Sequence, residues 1–307
     1  LIRTISINGH YHLSASNDQI VLKPLAEGLR EGLISCIDLG YLVLEHPHIS
    51  ITQHCIETLA KFNVAVIFVG MNYSPTSMLF HLDTHGVQAE RFKHQLNCSQ
   101  PLVKQLWAQT ISSKIGNQAK LLNLIGEGAN DIEWLAKNVK SGDPDNYEAQ
   151  AARKYWPRLF GNGFIRERNG NPPNQLLNYG YTLLRAATCR ALCGRGLYPL
   201  LGIHHHNRYN HFALADDMME PFRPYVDWCI YEICQGQNAE PDITKEQKTI
   251  ILKVLACDVF IEGRWTNLTH ALELMSTSLA RCFVGETKRL VLPEVKLPMG
   301  VEDDELN

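Results

Sequence analysis

The feature that most narrows the fold of this 307-residue chain is a change of pattern near residue 88. Before it, "LIRTISING", "YHLSAS", "QIVLKP" and "VAVIFVG" have the short apolar, β-rich texture of strands. Asn17-Asp18 between two of them predicts a two-residue hairpin turn. "LISCIDLGYLVLEHPHISIT" continues in that style, punctuated by Gly40 and Pro47. Helical spacing shows in residues 52–62, through Cys55, Leu59 and Phe62. After the change, "QPLVKQLWAQTISSKIGNQAKLLNLI" and "DIEWLAKNVK" repeat apolar residues every three or four positions, and nearly everything onward reads as helix. The expected architecture is α+β. A small β-rich domain takes residues 1–90, a larger all-α domain 91–286, and an acidic, disordered tail 287–307. Residues 161–174, rich in Gly, Pro and Arg, predict a mobile loop.

No apolar run is long enough to span a bilayer, and the first residues lack the marks of a signal peptide, so a cytoplasmic chain is expected. Nine cysteines in irregular spacing, without a CxxC pair, predict inert buried thiols. The net charge of −3 is unevenly spread: −4 over residues 1–90, +7 over 91–225 and −6 over 226–307. A basic middle can draw a polyanion even in a slightly acidic protein.

That basic middle also carries the chemistry-bearing residues. In "SGDPDNYEAQAARKYW", Asp143 predicts a helix cap with Pro144 at the first position, which sets Glu148 near the end of the first turn. A glutamate there usually faces water as a dipole partner. Here small alanines and Tyr155-Trp156 indicate a deeply packed helix instead. "GIHHH" brings three consecutive histidines, His204, His205 and His206, in an irregular turn. "ALADDMMEPFRP" opens a further helix with Asp216, Asp217 and Glu220, whose like charges repel unless a cation lies near. Arg223 supplies a neutralising partner, and a plain salt-bridge network is the bland alternative. One Glu, one His and one or two carboxylates on separate helical elements suit Mg²⁺ or Mn²⁺ better than structural zinc.

"GDPDNYEAQAARKYW", "LNYGYTLLRAA", "GIHH" and "ADDMMEPFRP", in this order, resemble the CRISPR-associated spacer-acquisition integrase in the branch found with type II systems. The resemblance covers nearly the whole chain except the tail. It implies a metal-binding and catalytic triad of Glu148, His205 and Glu220, with Asp217 and His204 in support. Many relatives have Asp where Glu220 stands, and His204 and His206 leave the choice of histidine less firm. It also implies a metal-dependent integrase that inserts a short double-stranded DNA, the prespacer, into the CRISPR repeat array by attack of a DNA 3′-hydroxyl on a phosphodiester. The expected partners are a second copy of the chain, with residues 1–90 dimerising, and a small ferredoxin-like companion protein. Arg153, Lys154, Arg166, Arg168 and Arg208 are candidate DNA contacts, and His10, Tyr11 and His12 candidates to stack on a duplex end. The alternatives are a metal-dependent nuclease for branched DNA and a non-enzymatic DNA-binding scaffold.

Overall fold

The computed structural model describes residues 3–70, 75–79, 86–167, 170–205, 207–236 and 243–296. Two four-stranded sheets form the N-terminal region. In the first, β1 (Arg3–Ile7), β5 (Leu39–Leu44) and β7 (Ala65–Val69) run parallel, and β8 (Pro75–Leu79) closes the edge antiparallel. In the second, the order is β4 (Gly32–Ser35), β3 (Gln19–Pro24), β2 (Tyr11–Ser16) and β6 (Ser50–Ile51). Asn17 and Asp18 make the expected β2–β3 turn with φ of 52° and 57°, the left-handed pair that a tight hairpin needs. Helix α1 (Gln53–Lys61) begins where Thr52 accepts a hydrogen bond from the Cys55 amide at 3.2 Å. Gly40 does not interrupt its strand as expected. It lies within β5, where the register against β1 slips between Arg3 and Thr4.

The first sheet is covered on both faces, which explains its unbroken apolar runs. Tyr41, Val43, Ala65 and Ile67 face the helical region, while Leu42, Leu44, Val64 and Val66 face the second sheet and α1. Period-two alternation thus divides one strand pair between two cores.

The helical region comprises α2 (Gln88–Leu96), α3 (Gln100–Leu124), α4 (Asn130–Asn138), α5 (Tyr147–Phe160), α6 (Asn174–Cys193), α7 (Ala213–Met219), a 3₁₀ turn (Glu220–Phe222), α8 (Arg223–Gly236), α9 (Lys245–Leu252) and α10 (Leu268–Phe283). Helix α3 is central, packing on α4, α5, α8 and the 3₁₀ turn. Helices α6 and α8 approach closely at Gly180, where a Cβ would stand 2.5 Å from Val226 Cγ1. Among the described residues no helix is long and apolar enough to cross a membrane.

Three expectations need correction. The helical region also contains a hairpin, β9 (Asp258–Ile261) and β10 (Arg264–Asn267), turned by Glu262-Gly263 at φ of 50° and 74°. Residues 287–296, expected in a disordered tail, are packed. Val295 is buried, its amide donates to Asn117 Oδ1 at 3.0 Å, and Glu294 bridges to Phe260 of β9. Residues 297–307 lie outside the described residues. The described part of the expected mobile loop is pinned by Asn174, which donates to the Ile165 and Asn171 carbonyls and accepts from the Glu167 amide, at 2.9–3.0 Å.

Candidate active site

Three chain segments meet against α3. The first is the start of α5. Asn146, in the left-handed region at φ 51°, caps it through the Ala149 amide at 3.3 Å. Asp143 lies outside the helix rather than capping it with Pro144 at its first position. Its carboxylate still accepts from the Tyr147 and Glu148 amides at 2.9 and 3.0 Å, so it serves the same unpaired donors from further back. Glu148 is therefore the second residue of α5, and its Oε1 reaches Lys114 Nζ of α3 at 2.6 Å.

The second segment is the 3₁₀ turn after α7. Glu220, almost wholly buried, places Oε2 2.6 Å from the same Lys114 Nζ and Oε1 2.9 Å from Arg223. The geometry of the Lys114 contact is ionic. Glu220 Oε2 accepts no well-directed hydrogen bond. The repulsion expected between Asp216 and Glu220 is resolved by separate partners. Asp216 takes Arg185 Nε at 2.5 Å and Asn210 Nδ2 at 2.8 Å.

The third segment is the histidine turn. Asp217 is fully buried and gathers it. Its carboxylate accepts from the His204 and His205 amides at 2.9 and 3.3 Å and lies 2.5 Å from His205 Nδ1. The His205 ring is thus held through Nδ1, which leaves Nε2 for another role. His204 stacks flat on Trp107 at 4.0 Å, and His205 meets Trp107 edge-on. Gly202 is needed for this turn, because a Cβ there would stand 2.5 Å from the His205 carbonyl oxygen and 2.9 Å from Asp217 Oδ2.

The electrostatics tie these segments together. Burial works against a charged Lys114, but Glu220 and Glu148 outweigh it and raise its pKa. Burial opposes the charge on Glu220 as well, yet Arg223 and Lys114 hold its pKa below the usual carboxylate value. The Asp217 hydrogen bond raises His205 against the effect of burial, with Glu220 and Glu148 adding to it. Behind Arg223 lies a buried carboxylate, Asp227, which accepts from Tyr155 Oη at 2.9 Å and from Tyr181 Oη. Burial pushes Asp227 up to about 6 despite those hydroxyls. The Arg223 guanidinium lies over the Tyr181 ring at 4.8 Å.

The remaining candidates sit further out. Arg153 and Lys154 are exposed on α5, and Lys154 pairs with Asp131 at 2.8 Å. Arg166 turns inward to Asn174 and Asn178, at 2.9 and 2.8 Å, and braces the start of α6. Arg208 is exposed with its guanidinium over Tyr209. Arg168 lies outside the described residues. His10 groups with His46 and His48, and His12 contacts Ser50 Oγ at 2.8 Å.

A sequence profile for CRISPR associated protein Cas1 matches residues 6–263. The chain belongs to the Cas1 family. It is 32% identical over 300 residues to the CRISPR-associated endonuclease Cas1 of Neisseria meningitidis serogroup C (strain 8013), covering 97% of each chain. It is 24% identical to a CRISPR-associated endonuclease Cas1 of Francisella tularensis subsp. novicida (strain U112), covering 81% of this chain and 86% of that one. The fold is shared with a casposase bound to integration product, at a TM-score of 0.77, 19% identity and 94% and 92% coverage. It is shared also with a Cas1 protein from Thermotoga maritima, at a TM-score of 0.74, 15% identity and 92% and 97% coverage. The fold is accordingly the Cas1 arrangement of a β-rich N-terminal region followed by a mostly helical one.

Within this Cas1 family fold, three groups went unread from sequence: Lys114, Trp107 and Asp227 with its tyrosines. Lys114 carried a signal. It falls on the buried stripe of α3 formed by Trp107, Ile111, Ile115, Gln118 and Leu122, where a lysine is out of place unless it is paired.

Proposed function

We propose that this protein is the integrase of CRISPR adaptation, joining a short DNA duplex to the repeat array by metal-dependent transesterification. The observation that carries the reading is the convergence of Glu148, Glu220 and the Asp217-held His205 from three separate segments. The donor set fits a hard divalent cation: two carboxylates, one of them with a buried oxygen lacking a directed donor, and an imidazole with Nε2 left over. Among the described residues no three such side chains already stand at metal-holding distance, and Lys114 lies between the glutamates. Glu148, His205 and Glu220 would hold Mg²⁺ or Mn²⁺. Such an ion, when bound, polarises a phosphodiester and steadies the leaving oxygen.

The chain's own part is orientation. Asp217 fixes the His205 tautomer and ring plane. Arg223 anchors one oxygen of Glu220 so that the other points toward Lys114. The attacking group is a 3′-hydroxyl of DNA, so no side chain need act as nucleophile. A cleft of about 480 Å³ opens on the His205 side of the site, lined among others by Gln100, Asn207, Arg208 and His211 but by neither glutamate, and would take DNA flanking the reacting phosphate. The basic segment 91–225, with Arg153 and Arg208 on its exposed side, would follow the duplex. The two sheets of residues 1–90 would pair two copies. A small ferredoxin-like companion would bridge two such dimers in the cytoplasm.

The test is a strand-joining assay with the companion protein, a duplex bearing free 3′-hydroxyls and a repeat-containing target. Joined products, lost in Glu148→Ala, His205→Ala and Glu220→Ala, support the reading. Cut but never joined products point to a nuclease for branched DNA using water. The paired charges around Lys114 favour a second reading, a scaffold that binds DNA. That reading predicts no Mn²⁺-dependent product at all.

A further inference from the structure

We propose that Lys114 is a built-in counter-cation, standing between Glu148 and Glu220 until a divalent ion displaces it. This rests on the metal-site reading above and adds a competitor to it. One ammonium reaches both carboxylates at 2.6 Å, on α5 from one side and on the 3₁₀ turn from the other. Two glutamates held this near, Glu220 buried and Glu148 half-buried, repel unless a cation sits with them. Lys114 is that cation when no ion is bound, and its ammonium keeps the two carboxylates facing each other before metal arrives.

The two glutamates are not equivalent partners. Glu148 accepts a directed hydrogen bond from Lys114, whereas Glu220 Oε2 has only charge contact. The Glu220 side of the bridge is thus a charge contact at the same 2.6 Å, without the directed hydrogen bond that holds Glu148. A divalent ion ligated by both carboxylates would repel an ammonium held at the same 2.6 Å, so the two cations compete for the place between the carboxylates. The exchange moves no electrons. Two carboxylates trade a single positive charge for a double one, and the ammonium withdraws along its flexible stem, which lies on the buried side of α3 with Ile111 and Ile115. Lys114 acts through the glutamates, so it is a positioning residue. It holds the site open-handed in the metal-free protein and sets the affinity below what the same ligands would give alone.

The test is calorimetric titration of the full chain with MnCl₂ in the absence of DNA. Lys114→Met removes the competing charge at similar bulk. It should bind Mn²⁺ at least about tenfold tighter than wild type, a gain of ~1.4 kcal/mol, while its metal-free form melts lower. Lys114→Arg keeps the charge and should bind no tighter than wild type. Equal or weaker Mn²⁺ binding by Lys114→Met overturns the proposal and leaves the metal site standing. If wild type binds no Mn²⁺, or Glu148→Gln binds it as well as wild type, the metal-site reading falls and this inference falls with it. Wild type alone offers a second readout that does not depend on a variant folding. Acylation of Lys114 by an N-hydroxysuccinimide ester, followed by peptide mass spectrometry, should rise when Mn²⁺ is added. Labelling that stays the same or drops overturns the proposal.

Discussion

The two regions of the molecule bury different things. Between the sheets, the core is Leu13, Ile20, Leu42, Leu59 and Val66, all close to fully buried and all apolar. In the helical region, Lys114, Asp216, Asp217, Glu220 and Asp227 are buried as well; in the N-terminal region the one comparable charge among the described residues is Glu45, whose carboxylate is tied to Lys248 of α9. Burying apolar surface stabilises by about 25 cal/mol per Å². Burying a charge costs stability unless it is paired and hydrogen-bonded, and even then the balance is near zero. The N-terminal region is therefore built as a platform. The helical region gives up stability to hold charges facing one another, which is the pattern of a functional site.

The sharpest way to break this contrast is to remove one buried member from each region. Glu220→Gln leaves Lys114 and Arg223 without their shared carboxylate. It should cost roughly 3–5 kcal/mol of stability by chemical denaturation, and at least about a hundredfold in strand joining per folded molecule. Leu13→Ala should cost a similar roughly 2–5 kcal/mol yet leave joining per folded molecule near wild type. Equal losses of activity in the two variants would erase the distinction.

A smaller effect is expected at Asp217, which touches only the histidine turn. Asp217→Asn keeps the shape but cannot hold His205 in the same tautomer, and should lower Mn²⁺ affinity or joining about 10–100-fold. Measured kinetics that match wild type would reduce Asp217 to a turn-former.

The buried carboxylate behind the site gives a pH signature. Asp227 is pushed up to about 6. Its folded form binds a proton more tightly than the unfolded chain does. Its contribution to stability is therefore full below about pH 4 and is lost as pH rises through about 6. Denaturation midpoints across that range should show a decline on the order of 3 kcal/mol in wild type that is flattened in Asp227→Asn. The smallest effect belongs to the exposed surface. Arg153→Ala should leave stability within about 0.5 kcal/mol and reduce the salt dependence of DNA binding by about one unit of slope.

Much of the platform was legible because its signals are local. Asn17-Asp18 turns a hairpin with its own backbone, and Thr52 starts α1 three residues from its partner. The Glu262-Gly263 hairpin carried the same kind of signal but sits among helices, and its two short strands gave too little alternation to stand out. The site was legible only in part. Glu148, His205, Asp217 and Glu220 are recognisable as residue types in motifs, and Asp217 lies close in sequence to the turn it holds. Lys114 is different. Its meaning comes from α5 and the 3₁₀ turn arriving beside α3 from far along the chain. The strap 287–296 read as polar tail because it is held by Gln109, Ser113 and Asn117, side chains on α3 that no local pattern marks.

Anomalous diffraction from crystals grown with Mn²⁺ tests the central claim most directly. One strong peak is expected, bounded by Glu148, His205 and Glu220, with Lys114 drawn back from both glutamates. A peak elsewhere, or none with the three side chains in place around Lys114, would contradict it.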